Sequence, residues 1–177
     1  MEETSTPTVT TRSVGIRYGV IMAAISIVYF LVLTMASVDM TSGIGRWSSL
    51  VFYVVVLFLA HKNFKEGGDG WMTFGQGMGI AFWLGLICSV IYSAFFYIYI
   101  KFIDSAFVEA IKEKQIDEMR AKGMGEDQID QAMKFAGAFM TPEAMLIFGL
   151  VGGIIMILIV GLVVTIFTQK KNPQAEV

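Results

Sequence analysis

The chain has 177 residues and a formal net charge of −2, with 55% apolar and only 16% charged residues. Soluble proteins carry about 25% charged residues, and a soluble domain this short leaves too much surface exposed to bury so many apolar side chains. The composition therefore excludes an ordinary soluble domain, and the slightly negative charge gives no reason to expect a nucleic-acid partner.

Charged residues are absent from four segments that together make up half of the chain. These segments are residues 18–38, 47–60, 72–100 and 144–168. A helix satisfies its own backbone hydrogen bonds, and about 20 helical residues cross the roughly 30 Å of hydrocarbon in a bilayer. We therefore predict an all-α fold: an integral membrane four-helix bundle, formed as a single membrane domain by residues 1–177 and surrounded by the lipid bilayer.

The first span is predicted over residues 18–38. Arg12 and Arg17 precede it, as basic residues precede the apolar region of a secretory signal peptide. The apolar run of about 20 residues is, however, longer than the roughly 7–15 residues of such a region. We therefore expect this segment to be retained as a membrane-spanning helix.

The second span is the shortest of the four. Its charge-free part gives only about 21 Å of helix. Arg46 and Lys62 flank it, and their long side chains can return the charge to the interface. Trp47 and His61 are amphipathic residues that suit the same boundary. We predict a span over residues 46–62, with His61 as an interfacial anchor.

The third and fourth spans are longer. Residues 72–100 exceed the thickness of the hydrocarbon, so this helix should tilt or extend beyond it. The fourth span is predicted over residues 142–168. It follows Thr141, which can cap a helix, and it begins with Pro142 and Glu143, which favour the first helical turn.

Residues 101–141, between the third and fourth spans, form the predicted extramembrane region. Apolar residues recur there at the spacing of an amphipathic helix, on both sides of a glycine-rich break at 123–125. They are Ile103, Phe107 and Ile111 before the break and Ile129, Met133 and Ala136 after it. We predict an amphipathic helical loop, which either lies on the membrane surface or caps the bundle. Its first half could also continue the third span.

The distribution of charge favours one orientation. With four spans both termini lie on one side, beside short basic segments, whereas residues 101–143 carry nine acidic and six basic residues on the other side. The positive-inside rule gives most weight to short segments close to the membrane. We predict that both termini are cytoplasmic.

Small residues recur at intervals of four along three of the predicted helices. Helices in lipid associate by close packing, and rows of small residues let their backbones approach. The rows are Gly15, Gly19 and Ala23 in the first helix, Gly77, Ala81, Gly85, Ser89 and Ser93 in the third, and Gly149 and Gly153 in the fourth. We predict that these rows pack the helices of the chain together; the alternative is that one row binds another subunit.

Patterns that could indicate catalysis are incomplete. The glycines of residues 75–79 lack both the third glycine of a dinucleotide site and the Lys-Ser/Thr of a P-loop. His61, the sole histidine, has no suitable carboxylate or cysteine partner in its sequence neighbourhood. Glu109, Glu113 and Asp117 share a helical face but are interleaved with lysines, as on a solvated surface. We predict no catalytic residue, no cofactor, no bound metal and no enzymatic activity.

The four charge-free segments carry neutral polar groups, among them Ser26, Tyr29, Ser48, Ser49, Tyr53, Gln76, Ser89, Tyr92 and Ser93. Ion-coupled carriers place ionisable residues within the bilayer, so coupled transport by this chain alone is not expected. The aromatic residues clustered at 92–99 are interpreted as an interfacial belt in preference to a ligand pocket.

Four short segments resemble a known family. They are GIRYG at 15–19, HKNFK at 61–65, MTFGQG at 72–77 and GMGEDQI at 123–129. In this layout the chain resembles the Bacteroidota membrane-protein family called domain of unknown function 4199. The resemblance implies a small four-helix protein of the bacterial inner (cytoplasmic) membrane, and it provides no functional residues to transfer.

Two functions are consistent with these features. Abundant helix-packing surface without catalytic chemistry favours a non-enzymatic accessory or assembly subunit that acts through helix–helix contacts, as a homo-oligomer or with a membrane-protein partner. The alternative is a passive channel or carrier for a small neutral solute or a lipid, lined by serine and tyrosine hydroxyl groups.

Overall fold

The computed structural model of the protein describes residues 9–36, 38 and 43–171, with the backbone alone at 43–46. The predicted position of the Arg46 side chain lies outside this description. Six α-helices follow one another: α1 Thr11–Met35, α2 Gly43–Glu66, α3 Phe74–Ile98, α4 Phe107–Ala121, α5 Glu126–Gly137 and α6 Pro142–Thr168. A short π-helical segment, Tyr99–Ile103, continues α3. The predicted all-α fold is confirmed.

Four of the helical stretches are long and apolar enough to cross a membrane. They are Thr11–Met35, Trp47–Glu66, Phe74–Ile103 and Pro142–Thr168, with 25, 20, 30 and 27 residues. The predicted multi-pass membrane protein with four transmembrane helices is therefore confirmed.

The second helix continues past the charged residues at which its apolar segment ends. Lys62 and Glu66 lie four residues apart in its last turns and form an exposed ion pair with a nitrogen–oxygen distance of 3.7 Å. Such a pair keeps both charges at the helix surface while the backbone stays helical. A count of uncharged residues therefore underestimates the length of this helix.

Local side-chain hydrogen bonds fix where the spanning helices begin. The backbone N–H of Ser13 donates to the Thr10 hydroxyl over 3.1 Å, so α1 starts seven residues before the predicted span. At the start of α3, the N–H of Thr73 donates to the Gln76 side chain over 2.8 Å. At α6, the N–H of Ala144 donates to the hydroxyl of Thr141, the predicted cap. Each bond satisfies an amide group that the helix itself cannot pair.

The chain forms two compact units, of which the first comprises residues 1–92 and 151–177. Its buried core is built from all four spanning helices. The most completely buried side chains are Met22 of α1, Leu57 of α2, Ile80 and Leu84 of α3, and Ile157 of α6. Close to one end of these helices, Met72 and Lys170 exchange two backbone hydrogen bonds of 2.9 Å.

The second unit comprises residues 93–150 and contains the end of α3, the helices α4 and α5, and the start of α6. The helical path breaks after the π-helical segment, where the N–H of Asp104 donates to the Tyr99 carbonyl over 2.8 Å. A second break follows α4 at Gly123, whose φ of 79° is in the left-handed region that favours glycine. The predicted amphipathic helical loop between the third and fourth spans is therefore a pair of helices.

Candidate functional site

A cavity of about 190 Å³ lies among α1, α2 and α3 in the first unit. Five of its lining residues carry hydroxyl groups, and the other four are apolar. The lining consists of Met22, Ser26, Tyr29, Phe30 and Leu33 from α1, Ser49, Phe52 and Tyr53 from α2, and Tyr92 from α3. All of these residues belong to the membrane-spanning stretches.

Hydrogen bonds link the hydroxyl groups of the cavity to one another and to their surroundings. Ser26 forms side-chain hydrogen bonds with Tyr53 and with the buried thiol of Cys88. Tyr29 forms a hydrogen bond with Ser48, which lies beside the cavity on α2. These bonds orient the phenol and hydroxyl groups of two facing helices.

Aromatic contacts hold the wall of the cavity in place. The rings of Phe30 and Tyr92 meet edge to face, with centroids 6.4 Å apart. Tyr29 and Phe52 meet in the same way at 5.2 Å. Edge-to-face pairs are favourable beyond the area that they bury, so these contacts stabilise the positions of the four rings.

The cavity is suited to a small uncharged molecule. A hydroxyl group donates one hydrogen bond and accepts two, so hydroxyl groups that already form one bond within the protein can form another with a ligand that bears hydroxyl, carbonyl or amide functions. None of the described lining residues is charged, and a charged ligand would lose its hydration without gaining a counter-charge from them. The volume is somewhat larger than the roughly 150 Å³ of an apolar protein cavity that binds benzene.

The sequence identified these hydroxyl groups but did not show that they face one cavity. Of the nine neutral polar residues named from the sequence, five line the cavity, whereas Gln76 caps α3 and Ser48 bonds to Tyr29. The sequence pattern predicts that Tyr92 belongs to an interfacial aromatic belt, but in the structure Tyr92 lines the cavity. Helical spacing could have found one half of the site, because Met22, Ser26, Tyr29 and Leu33 recur on one face of α1.

The small residues of α1 lie against α3. A Cβ atom added at Gly15 would be 2.5 Å from the Cβ of Trp83 and 2.9 Å from the carbonyl oxygen of Ile80. At Gly19 the added atom would be 2.9 Å from the Cβ of Ile87. Ala23, the third residue of this row, is buried. Glycine is therefore required for the approach of these two helices.

The small residues of α3 lie against α6. A Cβ atom added at Gly77 would be 2.5 Å from the methyl group of Thr165, and one added at Gly85 would be 3.2 Å from a methyl group of Ile157. In the same interface Ala81 lies against Gly161, and Ser89 lies against Gly153. In the second unit, Ser93 lies 3.4 Å from a Cβ atom added at Gly149. Each predicted packing residue of α3 thus faces another helix of this chain.

His61 is buried, and its predicted role as an interfacial anchor is wrong. The side chain is 0% exposed, with Nε2 3.2 Å from the carbonyl oxygen of Gly77 and Nδ1 2.7 Å from the hydroxyl of Thr168. Because a carbonyl only accepts, the Gly77 contact needs a proton on Nε2, whereas the one hydroxyl proton of Thr168 points either to Nδ1 or to the Val164 carbonyl oxygen 2.8 Å away. His61 therefore joins α2, α3 and α6.

The surroundings of His61 give it a structural role. The ammonium of Lys65 donates to the carbonyl oxygen of Thr168 over 2.9 Å, at the end of α6. Carbonyl groups in the last turn of a helix have no helical partner, and a nearby cation is favourable there. Nothing in the sequence links positions 61, 77 and 168, which the tertiary structure brings together.

Two of the acidic residues of α4, Glu109 and Asp117, form surface ion pairs. Glu109 pairs with Lys112 at 3.0 Å, and Asp117 lies 3.7 Å from Arg120. Arg120 also donates to Glu126 over 3.0 Å, and this contact lowers the pKa of the Glu126 carboxyl below its usual range. Within the described residues, no group of three histidine, cysteine or acidic side chains could hold a metal ion.

Comparison with known proteins gives one match. The profile of a family described as "Protein of unknown function (DUF4199)" matches residues 17–170, so the resemblance drawn from the sequence motifs is confirmed. No curated protein and no solved structure matches the chain.

Proposed function

We propose that this chain, which belongs to the DUF4199 family, binds a small uncharged molecule in the cavity among α1, α2 and α3 and acts as a passive carrier for it. The observation that supports the proposal is the convergence of five hydroxyl groups on one space within the membrane-spanning stretches. The proposed function is not catalytic, because the cavity holds neither an acid–base pair nor an activated nucleophile.

The arrangement of the packing residues also supports this proposal over a role in assembly. The small residues suggested a surface for a partner helix, but those of α1 and α3 contact other helices of this chain. They are therefore not available to a partner. The hydroxyl groups of the cavity, in contrast, face a space that no described residue fills.

Ligand-dependent thermal unfolding in lipid nanodiscs tests the binding step. Phenol and cyclohexanol combine a ring with a hydroxyl group, whereas benzoate has a similar ring and a charge. We expect the first two to raise the unfolding temperature and benzoate to have no effect. A ligand at 100 times its dissociation constant stabilises the folded state by about 2.7 kcal/mol.

A matched pair of variants places the ligand in the cavity. Ser49→Leu introduces an isobutyl group into the cavity, whereas Gly152→Leu introduces the same group where no atom lies within 4 Å of the added Cβ. The first variant should lose stabilisation by phenol, and the second should keep it. Equal stabilisation of both variants would place the ligand elsewhere.

Solute flux tests the carrier step separately. Liposomes that contain the purified protein are mixed with glycerol or erythritol, and their swelling is followed by light scattering. The proposal predicts faster swelling than in empty vesicles and a return to the empty-vesicle rate in Ser49→Leu. A rate equal to that of empty vesicles for the unaltered protein would remove transport and leave binding alone.

A different surface supports an accessory role as a second candidate function. An apolar groove of about 460 Å³ lies between α2 and α6, lined by Val54, Val55, Phe58, Leu59, Val163, Val164, Phe167 and Thr168. A helix of a partner protein or of a second copy would fit there. Photocrosslinking from position 58 in native membranes tests this: adducts of defined mass support it, and recovery of monomer alone opposes it.

The proposed location is the bacterial inner membrane with both termini in the cytoplasm. Single cysteines at Gly68 and Gly125, in a Cys88→Ala background, test the orientation. A membrane-impermeant maleimide added to intact cells should label position 125 and spare position 68. The reverse pattern would invert the orientation.

A further inference from the structure

Three phenylalanine rings form an exposed row in the second unit. The rings of Phe135 on α5, Phe139 in the connection and Phe148 on α6 follow one another with centroid distances of 5.2 Å at each step. Their side chains are 73%, 43% and 54% exposed. We call these three residues the aromatic row.

Phe135, the member of the aromatic row that belongs to α5, lies on an uncharged face of that helix. Positions Gln128, Gln131 and Ala132 flank the row on the helical wheel, since successive residues are about 100° apart. The charged residues of α5 all lie about 80° or more around the helix from Phe135; they are Glu126, Asp127, Asp130 and Lys134. Ile129 forms a third, buried face. The exposed surface of α5 is therefore divided into a charged and an aromatic part.

The position of α5 in the chain keeps it close to the membrane. Only residues 138–141 separate its end at Gly137 from Pro142, the first residue of the spanning helix α6. A connection this short reaches at most about 17 Å. The row also continues directly onto α6, because Phe139 contacts Phe148 within the spanning stretch Pro142–Thr168. The aromatic surface of α5 is thus continuous with a surface that faces lipid.

We propose that α5 lies in the membrane interface, with Phe135 and Phe139 inserted beneath the lipid headgroups beside the start of α6. The charged face then contacts water and headgroups, and Ile129 packs within the unit. Helices of this kind bury their apolar face roughly 5–10 Å into the boundary between headgroups and acyl chains. Of the two positions that the sequence left open for this loop, this proposal selects the membrane surface.

Depth measurements with spin labels test the proposal. Single cysteines replace Phe135, Phe139, Asp130 and Lys134 in the Cys88→Ala protein, which is then labelled with a nitroxide and reconstituted in phosphatidylcholine nanodiscs. Labels at 135 and 139 should collide more often with oxygen, which dissolves in lipid, than with a water-soluble nickel complex. Labels at 130 and 134 should show the opposite preference.

Two other outcomes would overturn the proposal. Collision of the labels at 135 and 139 mainly with the nickel complex would place the row in water. Protection of the same labels from both reagents would mean that protein covers the row, as in a contact with a second copy. Gln131→Cys provides a variant that keeps all three rings, and it should share the oxygen preference of the row if α5 lies in the interface.

Discussion

The two halves of α1 have different surroundings in the first unit. In the first half, Gly15 and Gly19 let the helix approach α3 until an added Cβ would meet other atoms. In the second half, Ser26 and Tyr29 face a cavity. Side-chain volume therefore sets the separation of helices in lipid, because glycine permits close contact and aromatic rings hold helices apart.

The largest expected effect comes from adding volume to the packed half. Gly15→Leu places a side chain against Trp83 and the backbone of Ile80, which cannot move aside easily. We expect it to lower the free energy of unfolding by about 3 kcal/mol. Unfolding by SDS in mixed micelles measures the change. Gly152→Leu is the control, because its added Cβ meets no atom within 4 Å. An equal loss of unfolding free energy in this control would show that the loss does not come from the contact of α1 with α3.

The second-largest expected effect concerns His61, whose ring nitrogens contact Gly77 of α3 and Thr168 of α6. His61→Phe keeps an aromatic ring, of somewhat larger volume, but removes the two ring nitrogens that contact the buried Thr168 hydroxyl and the Gly77 carbonyl; Thr168 then keeps its bond to the Val164 carbonyl oxygen. Loss of such a partner costs about 2 kcal/mol in the free energy of unfolding. The neighbouring variant Lys62→Ala, at an exposed position, should change it little in the same SDS titration.

One substitution made at two sites compares the packed interface with the cavity directly. Ser89 is 4% exposed and lies against Gly153, and its hydroxyl has no hydrogen-bond partner among the described residues. Ser89→Val should therefore destabilise through crowding. Ser26→Val places the same methyl groups beside empty space, but it also removes the hydrogen bonds of Ser26 to Tyr53 and Cys88. We expect crowding at Ser89 to outweigh that loss, so that the first variant is less stable by about 1 kcal/mol, and a smaller loss at Ser89 than at Ser26 would contradict the crowding.

The smallest effect lies outside the membrane, at the exposed pair Arg120–Glu126. Arg120 lowers the pKa of Glu126, so the pair stabilises the junction of α4 and α5 above the usual glutamate pKa of about 4.3. This contribution is lost as the pH falls through the lowered pKa. Hydrogen exchange of residues 120–128 should rise on acidification in the unaltered protein. Glu126→Gln should show faster exchange at neutral pH and a weaker dependence on pH.

The sequence predicted the elements that depend on local pattern. The fourth span has the predicted bounds because Thr141 and Pro142 determine its start and an uninterrupted apolar run determines its course. The start of α1 was missed, although Thr10 and Ser13 form a recognisable cap. The cavity could not be derived, since Ser26, Tyr53 and Tyr92 belong to three helices and helical periodicity does not relate one helix to another.

The sequence by itself determined that this protein crosses the membrane four times, because ionised side chains are excluded from hydrocarbon and an uncharged segment there must be helical. Only the tertiary structure decided what the neutral polar residues do. Ser26 and Ser89 both lie on membrane-spanning helices, yet one faces a cavity and the other is pressed against Gly153. The physical reason is that free space and contact depend on the distances between helices, which many side chains set together.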